Sequence, residues 1–304
     1  MMLPAPALPV EETAPATQTL VQPKRARSTR AQRSRRALVL VTLALLAVCF
    51  VMMSPFIWTA MSALKPTRVA FANPPVFFFE PTIDAFVRLW ETTDFAFFTM
   101  NTLIIGVMAV VGTLFLAAPA AYALARFGGR TSAIILAFAL LIRSIPGFAI
   151  MLPMYDFATA LGVYDTKIAL AVAFVAVDLP FTVWLLRNFF AAIPVELDEA
   201  AMIDGCSRWG SFRRVILPLM QPGLVTAGLL TFLLAFQSFL LPVVLADINA
   251  QTVPVFLSTQ IGQSLPLLQQ AAAGIVLLTI PVLVLAVFAQ RYLVAGLAAG
   301  AVKG

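Results

Sequence analysis

The sequence has no histidine, only two cysteines, and a charged fraction of 11%. Each shortage removes a chemistry. Without histidine the commonest general base and the commonest metal ligand are gone. Serine-hydrolase chemistry of the usual kind fails for the same reason. Cys49 lies in an apolar run and Cys206 among charged residues, a placement that indicates neither a disulfide nor a metal site. Lys24, Lys65, Lys167 and Lys303 are preceded by Pro, Leu, Thr and Val, so no Gly-Lys pair exists and no nucleotide-binding P-loop can form. Glu80, Asp84, Glu91 and Asp94 have no paired spacing and read as solvated loop residues. No catalytic group, no metal and no cofactor of its own are expected in this chain.

What the sequence has instead is apolar surface. Hydrophobic residues make up 61% of the 304, and the mean hydropathy is +0.96. A soluble domain is nearer half apolar and a quarter charged. Water cannot solvate this composition, so a bilayer is the solvent for most of it. Crossing the hydrocarbon takes about 20 apolar residues as a helix. Six stretches fit: 38–62, 99–125, 132–153, 168–186, 223–246 and 271–290. The third and fourth each hold one charge, Arg143 and Asp178. The fold class expected is therefore all-α, a polytopic membrane helix bundle with six transmembrane helices.

The charges are placed unevenly. With the N-terminus in the cytoplasm, the inside segments hold the basic run Lys24 to Arg36, then Arg126, Arg130, Arg187, Arg208, Arg213, Arg214, Arg291 and Lys303, which is most of the 20 basic residues. Positive charge favours the cytoplasmic side, so both termini are expected there. Residues 1–36 form a tail rich in Pro, Ala and Thr that ends in the basic run. It is expected to be disordered, with the basic run as a topology anchor touching anionic lipid. The first span is too long, and follows too long a polar tail, to be a cleaved signal peptide. Pro55, Pro119, Pro146, Pro153, Pro180, Pro242 and Pro281 fall in or beside the spans. They are either kinks useful to a moving bundle or the ordinary prolines of membrane helices.

Residues 187–222 form the one substantial internal loop on the cytoplasmic side, RNFFAAIPVELDEAAMIDGCSRWGSFRRVILPLMQP. Pro194 suits the first turn of a helix. Glu196, Asp198 and Glu199 complement the helix macrodipole there. Gly205 provides a left-handed stop and Ser207 a cap for a second helix. Arg213 and Arg214 lie near the end of that helix, and Pro218 and Pro222 interrupt the chain before the fifth span. Two short helices joined by a glycine turn are predicted.

The spacing Glu199-Ala200-Ala201, three residues, Gly205, nine residues, Val215, one residue, Leu217-Pro218 resembles the EAA loop of binding-protein-dependent ABC importer permeases. Asn101-Thr102-Leu103, the run Ala120-Ala121-Tyr122-Ala123-Leu124-Ala125-Arg126, Leu179-Pro180-Phe181 and the closing Gly300-Ala301-Val302-Lys303-Gly304 resemble the maltose-type carbohydrate permease branch. The chain departs from that pattern in the fifth span, where Phe236-Gln237-Ser238 stands in place of Trp-Asn-Glu or Trp-Asn-Asp.

The resemblance, which covers roughly residues 35–304, implies an inner-membrane permease domain over 37–304. It implies partners as well: a second homologous permease, a pair of ATP-binding subunits that carry ATP and Mg, and an extracytoplasmic solute-binding protein. Nucleic acid is not among them. In the family the EAA loop docks into a groove on the ATPase. Ala200 and Ala201 keep the helix slim for that purpose. Glu199, Asp204, Arg208 and Arg213 suit polar contacts at the rim, and Trp209 and Phe212 suit apolar anchors.

Polar groups within the spans need a reason, because a charge at the bilayer centre costs about 2.5–3.5 kcal/mol on insertion scales. Arg143 and Asp178 fall at similar depth in antiparallel neighbours, so they form either a structural ion pair or part of a solute cavity. Gln237 and Ser238 are placed to touch solute or a neighbouring helix. The outer segment 247–270 carries Asn249, Gln251, Thr252, Gln260, Gln263, Gln269 and Gln270. It suits either contact with a docked binding protein or sugar, or a simple solvated loop. The function expected is import of a carbohydrate by alternating access. A polyol or glycerol-phosphate-type solute is the alternative, and a membrane enzyme or passive channel the rival class.

Overall fold

The computed structural model describes residues 27–261 and 264–301, with side chains over 37–261, 264–288 and at 290. The expected disorder over residues 1–26, and Gln263 and Lys303, lie outside the described residues. Residues 27–36 correct the tail boundary: they are helical and run on into the first span. The described elements are helical throughout, with no strand among them. The chain divides into two units, residues 1–54 and 55–304.

In the first unit the described stretch is unbroken helix, the N-terminal part of α1 (Arg27–Leu64). Its hydroxyls turn back onto its own carbonyls: Thr42 Oγ1 donates to Leu38 O at 2.8 Å, and Ser54 Oγ to Val51 O at 2.8 Å. In lipid a polar group has to be satisfied within the protein, and this is the cheapest local way.

The second unit is a bundle centred on α4 (Phe95–Arg126) and α7 (Lys167–Ala192), which pack together along most of their length. The contact face of α4 is made of small residues. Thr102, Gly106, Ala109, Thr113, Ala117 and Ala121 recur at three- and four-residue spacing, and all are buried. Small residues on one stripe let helix backbones approach closely, which is how membrane helices gain packing without a hydrophobic drive between them. Val107, Val111 and Phe115, on the other side, are exposed. α11 (Gln221–Phe236) lies against α4 and α14 (Leu265–Ala301), and α3 (Asp84–Thr92) and α13 (Val253–Gln260) pack on α14. A short α2 (Thr67–Ala70) links α1 to this group.

Among the described residues, four helices are long and apolar enough to cross a membrane: Ala37–Leu64, Phe95–Arg126, Lys167–Ala192 and Leu265–Phe288. Two further spans exist only if bent pairs count as one each. The expected third span, 132–153, is broken into α5 (Arg130–Arg143) and α6 (Gly147–Ala160), which meet at 87°. Pro146 explains the break, since it lacks an N–H and keeps Ile145 out of the helical region. The expected fifth span, 223–246, is also divided. Its helix α11 stops at Phe236, and after Gln237–Phe239 the chain makes a short α12 (Leu240–Leu245). Pro242 cannot bond to the carbonyl four residues back, so one continuous helix through Ser238 would leave that carbonyl unpaired. By contrast Pro55, Pro119, Pro180 and Pro281 sit inside helices that stay unbroken.

Candidate coupling site and solute path

At the end of the bundle where α4 and α7 terminate, Ile193 turns extended and closes α7. Pro194 precedes α8 (Glu196–Ile203) rather than entering its first turn. Gly205, at φ +87°, ends α8. Cys206 N donates to Ala201 O at 3.0 Å and Gly205 N to Met202 O at 3.1 Å, the paired bonds of a Schellman stop. Ser207 Oγ accepts from Gly210 N at 3.1 Å and caps α9 (Arg208–Ser211). The chain then widens into one π-helical turn, Phe212–Ile216, before the three-residue α10 (Leu217–Leu219) bends into α11 at 76°.

The loop is pinned by one carboxylate that sequence reasoning treated only as a dipole partner. Asp198 is 5% exposed. Its Oδ1 accepts from Tyr122 Oη at 2.6 Å and from Ser211 Oγ at 2.8 Å, and its Oδ2 from Arg126 Nε at 2.6 Å. Arg126 Nη1 also donates to Phe190 O and Ile193 O, both at 3.1 Å, and so caps the end of α7. Burial pushes the Asp198 carboxyl up, but the hydrogen bonds from Tyr122, Ser211 and Arg126 outweigh it and hold the group below the ordinary carboxylate value. Tyr122 and Arg126 stand four residues apart at the end of α4, so they share one face. That spacing was the available signal. That Asp198, rather than its acidic neighbours, would turn inward was not legible.

The predicted coupling residues separate into two groups. Glu199, Ala200, Asp204, Gly205, Arg208, Trp209 and Arg213 are exposed. Gly205, Trp209 and Arg213 line, with Cys206, Ser207, Gly210 and Arg214, a concavity of about 750 Å³. The Arg208 guanidinium lies 5.2 Å over the Phe127 ring. Ala201 and Phe212 correct the expectation. Ala201 is buried, and Phe212 is turned into the bundle, 4.9 Å from the Tyr122 ring and 6.3 Å from the Phe190 ring. Phe212 therefore anchors the loop to its own bundle.

Deeper in, Arg143 is the last residue of α5, at the break before α6. Its Nη1 donates to Val177 O at 3.0 Å and to Asp178 Oδ1 at 3.2 Å. Asp178 is buried in the middle of α7, whereas the Arg143 side chain is 34% exposed. Arg143 and Ser238 both line a cavity of about 330 Å³, walled by Met151, Met154, Val177 and Pro180. Gln237 is exposed and is not among the lining residues.

At the opposite end of the bundle, the segment 247–270, expected outside, is more ordered than a solvated loop in its described residues. Asp165, at φ 57°, accepts from Asp247 N, Asn249 N, Asn249 Nδ2 and Ala250 N at 2.8–3.0 Å. Burial pushes its carboxyl up and these four bonds outweigh that, leaving it below the ordinary value. Asn101 Nδ2 donates to Asn249 O at 2.9 Å and Gln251 O at 3.1 Å, and Thr102 Oγ1 accepts from Val253 N at 2.9 Å. Gln269 is buried in α14, where it accepts from Thr67 Oγ1 at 2.8 Å and donates to Ser62 O and Lys65 O. Asp165 carried no recognisable signal in the sequence.

A buried carboxylate clamp thus holds a short exposed helix pair at the end of a bundle with interrupted spans. The chain belongs to the family of binding-protein-dependent transport system inner membrane components, whose model matches residues 113–298. It is similar to the diacetylchitobiose uptake system permease of Streptomyces coelicolor, with 37% identity over 82% of this chain and 91% of that one. It is similar too to the trehalose transport system permease of Mycobacterium tuberculosis, with 34% identity over 89% and 99%. A probable ABC transporter permease of Sinorhizobium fredii shares 36% identity over 91% and 99%. Among solved structures, a bacterial ABC transporter that imports alginate matches with a TM-score of 0.71 at 24% identity, over 86% of this chain and 98% of that one, which shows the shared fold. The chain is thus a multi-pass permease component of an ABC importer, a transport subunit rather than an enzyme.

Proposed function

We propose that this permease moves a carbohydrate inward across the bacterial cytoplasmic membrane by alternating access, with both of its termini in the cytoplasm. Relatives of more than 30% identity named for diacetylchitobiose and trehalose transport support the solute class. The exposed residues Glu199, Ala200, Asp204, Gly205, Arg208, Trp209 and Arg213 form the surface that meets a separate ATP-binding subunit, one of a pair that carries ATP and Mg. A second permease completes the pathway, and a solute-binding protein delivers the sugar from outside. The observation that carries the coupling reading is the pair of short helices projecting from the bundle end while Asp198 secures them from within. Residues 37–304 act as one transmembrane domain, with 187–222 as its coupling loop.

The solute path includes the cavity walled by Arg143 and Ser238, with Asp178 behind it. Because the Arg143 guanidinium is paired with Asp178, the cavity offers hydrogen-bond donors without a free cation. That favours neutral hydroxylated solutes over phosphate esters, and a sugar over the glycerol-phosphate alternative. Gln237, exposed at the end of α11, is the weakest member of the proposed path.

The test is a tagged pull-down from detergent-solubilised membranes, followed by an ATPase assay with sugar-loaded binding protein. The expected outcome is co-purification of a second permease and an ATPase, with hydrolysis stimulated by the loaded protein. Gly205→Pro or Glu199→Lys is expected to lower transport without lowering membrane insertion. A lone protein with no associated ATPase in any detergent would refute the reading, and ATP-independent flux would favour a channel.

A further inference from the structure

The buried carboxylate of Asp198 has a specific mechanical position. α8 packs against α9 and the π turn that follows it, all within the loop itself. Its side-chain bonds to α4 are the two that Asp198 makes, to Tyr122 Oη and Arg126 Nε. The same carboxylate takes the Ser211 hydroxyl, so it also joins α8 to the second leg of the loop. Arg126 extends the connection to the last carbonyls of α7. The surroundings are apolar, with the buried Phe190 and Phe212 clustered against Tyr122, and a low local dielectric strengthens bonds to a charged group. The other acids of the loop, Glu196, Glu199 and Asp204, are exposed and form no ion pair among the described residues.

We propose that Asp198 is the positioning residue that makes the EAA loop move as one body with the end of α4, so that solute movement stays coupled to ATP hydrolysis on the partner subunit. The proposal rests on the importer reading above. A displacement of α8 by a partner reaches α4 through Tyr122 and Arg126 and reaches α7 through Arg126. From α4 it passes to α11 by direct packing. Without the carboxylate, α8 can shift against the bundle and a partner's motion is absorbed inside the loop. Its lowered pKa fits this role, since the group stays ionised across the physiological range.

The measurement is solute taken up per ATP hydrolysed, in vesicles reconstituted with the whole importer, together with co-purification of the ATPase. Asp198→Asn removes the charge and keeps the shape. It is expected to lower the ratio about tenfold, the factor that one lost charge-assisted hydrogen bond carries. Asp198→Glu, which keeps the charge, is expected to recover most of it. Tyr122→Phe deletes one hydroxyl and is expected to lower the ratio in the same direction but less. It serves as the deciding variant if Asp198→Asn does not assemble. A purely structural role would lower uptake and hydrolysis by the same factor, or lower assembly alone. An unchanged ratio in the variant that assembles overturns the proposal. An unmodified complex that shows no ATP-driven uptake would instead count against the importer reading itself.

Discussion

Gly205 and Asp165 both occupy the left-handed region, at φ +87° and +57°, but for different reasons. Gly205 has to reverse the chain between α8 and α9, and an L side chain there costs about 1–2 kcal/mol. Gly205→Ala is therefore expected to lower the thermal unfolding midpoint in detergent by a few degrees, read by differential scanning fluorimetry. Asp165 accepts the strain because its carboxylate then collects four donors from residues 247–250. Its folded pKa is lowered, so its contribution is complete above the ordinary carboxylate value of about 3.9 and is lost as pH falls through the lowered value. Protection from hydrogen exchange, relative to the intrinsic rate, at the Asp247, Asn249 and Ala250 amides is expected to fall in Asp165→Ala at neutral pH, and to fall in the native chain as pH drops through the lowered pKa. Equal protection in the variant and the native chain would show that the bonds from Asn101 and Thr102 hold the segment without Asp165. At this scale Gly205 was legible, because a glycine between two helical patterns has one main use. Asp165 was not, because its partners lie more than 80 residues away in the sequence.

Small residues decide how the helices meet. A Cβ on Gly106 would stand 2.9 Å from Phe232 Cε2 on α11, closer than carbon atoms tolerate. Gly106→Val is thus expected to destabilise the bundle by about 1–3 kcal/mol through overpacking. Combining it with Phe232→Leu should recover part of that loss in the same melting assay. If Gly106→Val melts like the parent, the close approach of α4 and α11 is not what holds them. The apolar runs marked where helices would lie, since composition over a span is a local property, but not which stripe of α4 would be buried. They did not give the breaks at Ser144–Pro146 and Gln237–Phe239. Among the described residues, prolines also sit inside five helices that remain unbroken, Pro153 in α6 included. Whether a proline bends or divides a helix depends on whether neighbouring elements can take up the freed carbonyls, which is a property of the packed bundle.

For the molecule as a whole, the two ends of the bundle carry different machinery. One end presents the α8–α9 pair and the Asp198 clamp, and the other presents the segment fastened by Asp165 and Asn101. The basic residues favour the first end for the cytoplasm. In a chain whose Cys49 and Cys206 are replaced by Ala, a cysteine at Ile203, 86% exposed, is expected to react with an impermeant maleimide from the cytoplasmic side. A cysteine at Ile248, 70% exposed, is expected to react from the opposite side. Labelling of both from one face would reverse or refute the proposed topology.

The sequence alone settled that this chain lives in a membrane and that two short helices meet about Gly205 between the fourth and fifth expected spans. Each follows from composition or short spacing: apolar content sets the solvent, and capping residues act over a single turn. The tertiary structure decided which groups face inward. It turned Phe212 and Ala201 into the bundle, chose Asp198 as the one buried acid of the loop, set Arg143 against Asp178 beside a helix break, and drew Gln269 out of solvent. All of these depend on contacts between residues distant along the chain. Which side chain of several similar ones loses its water is settled only when the helices close around it.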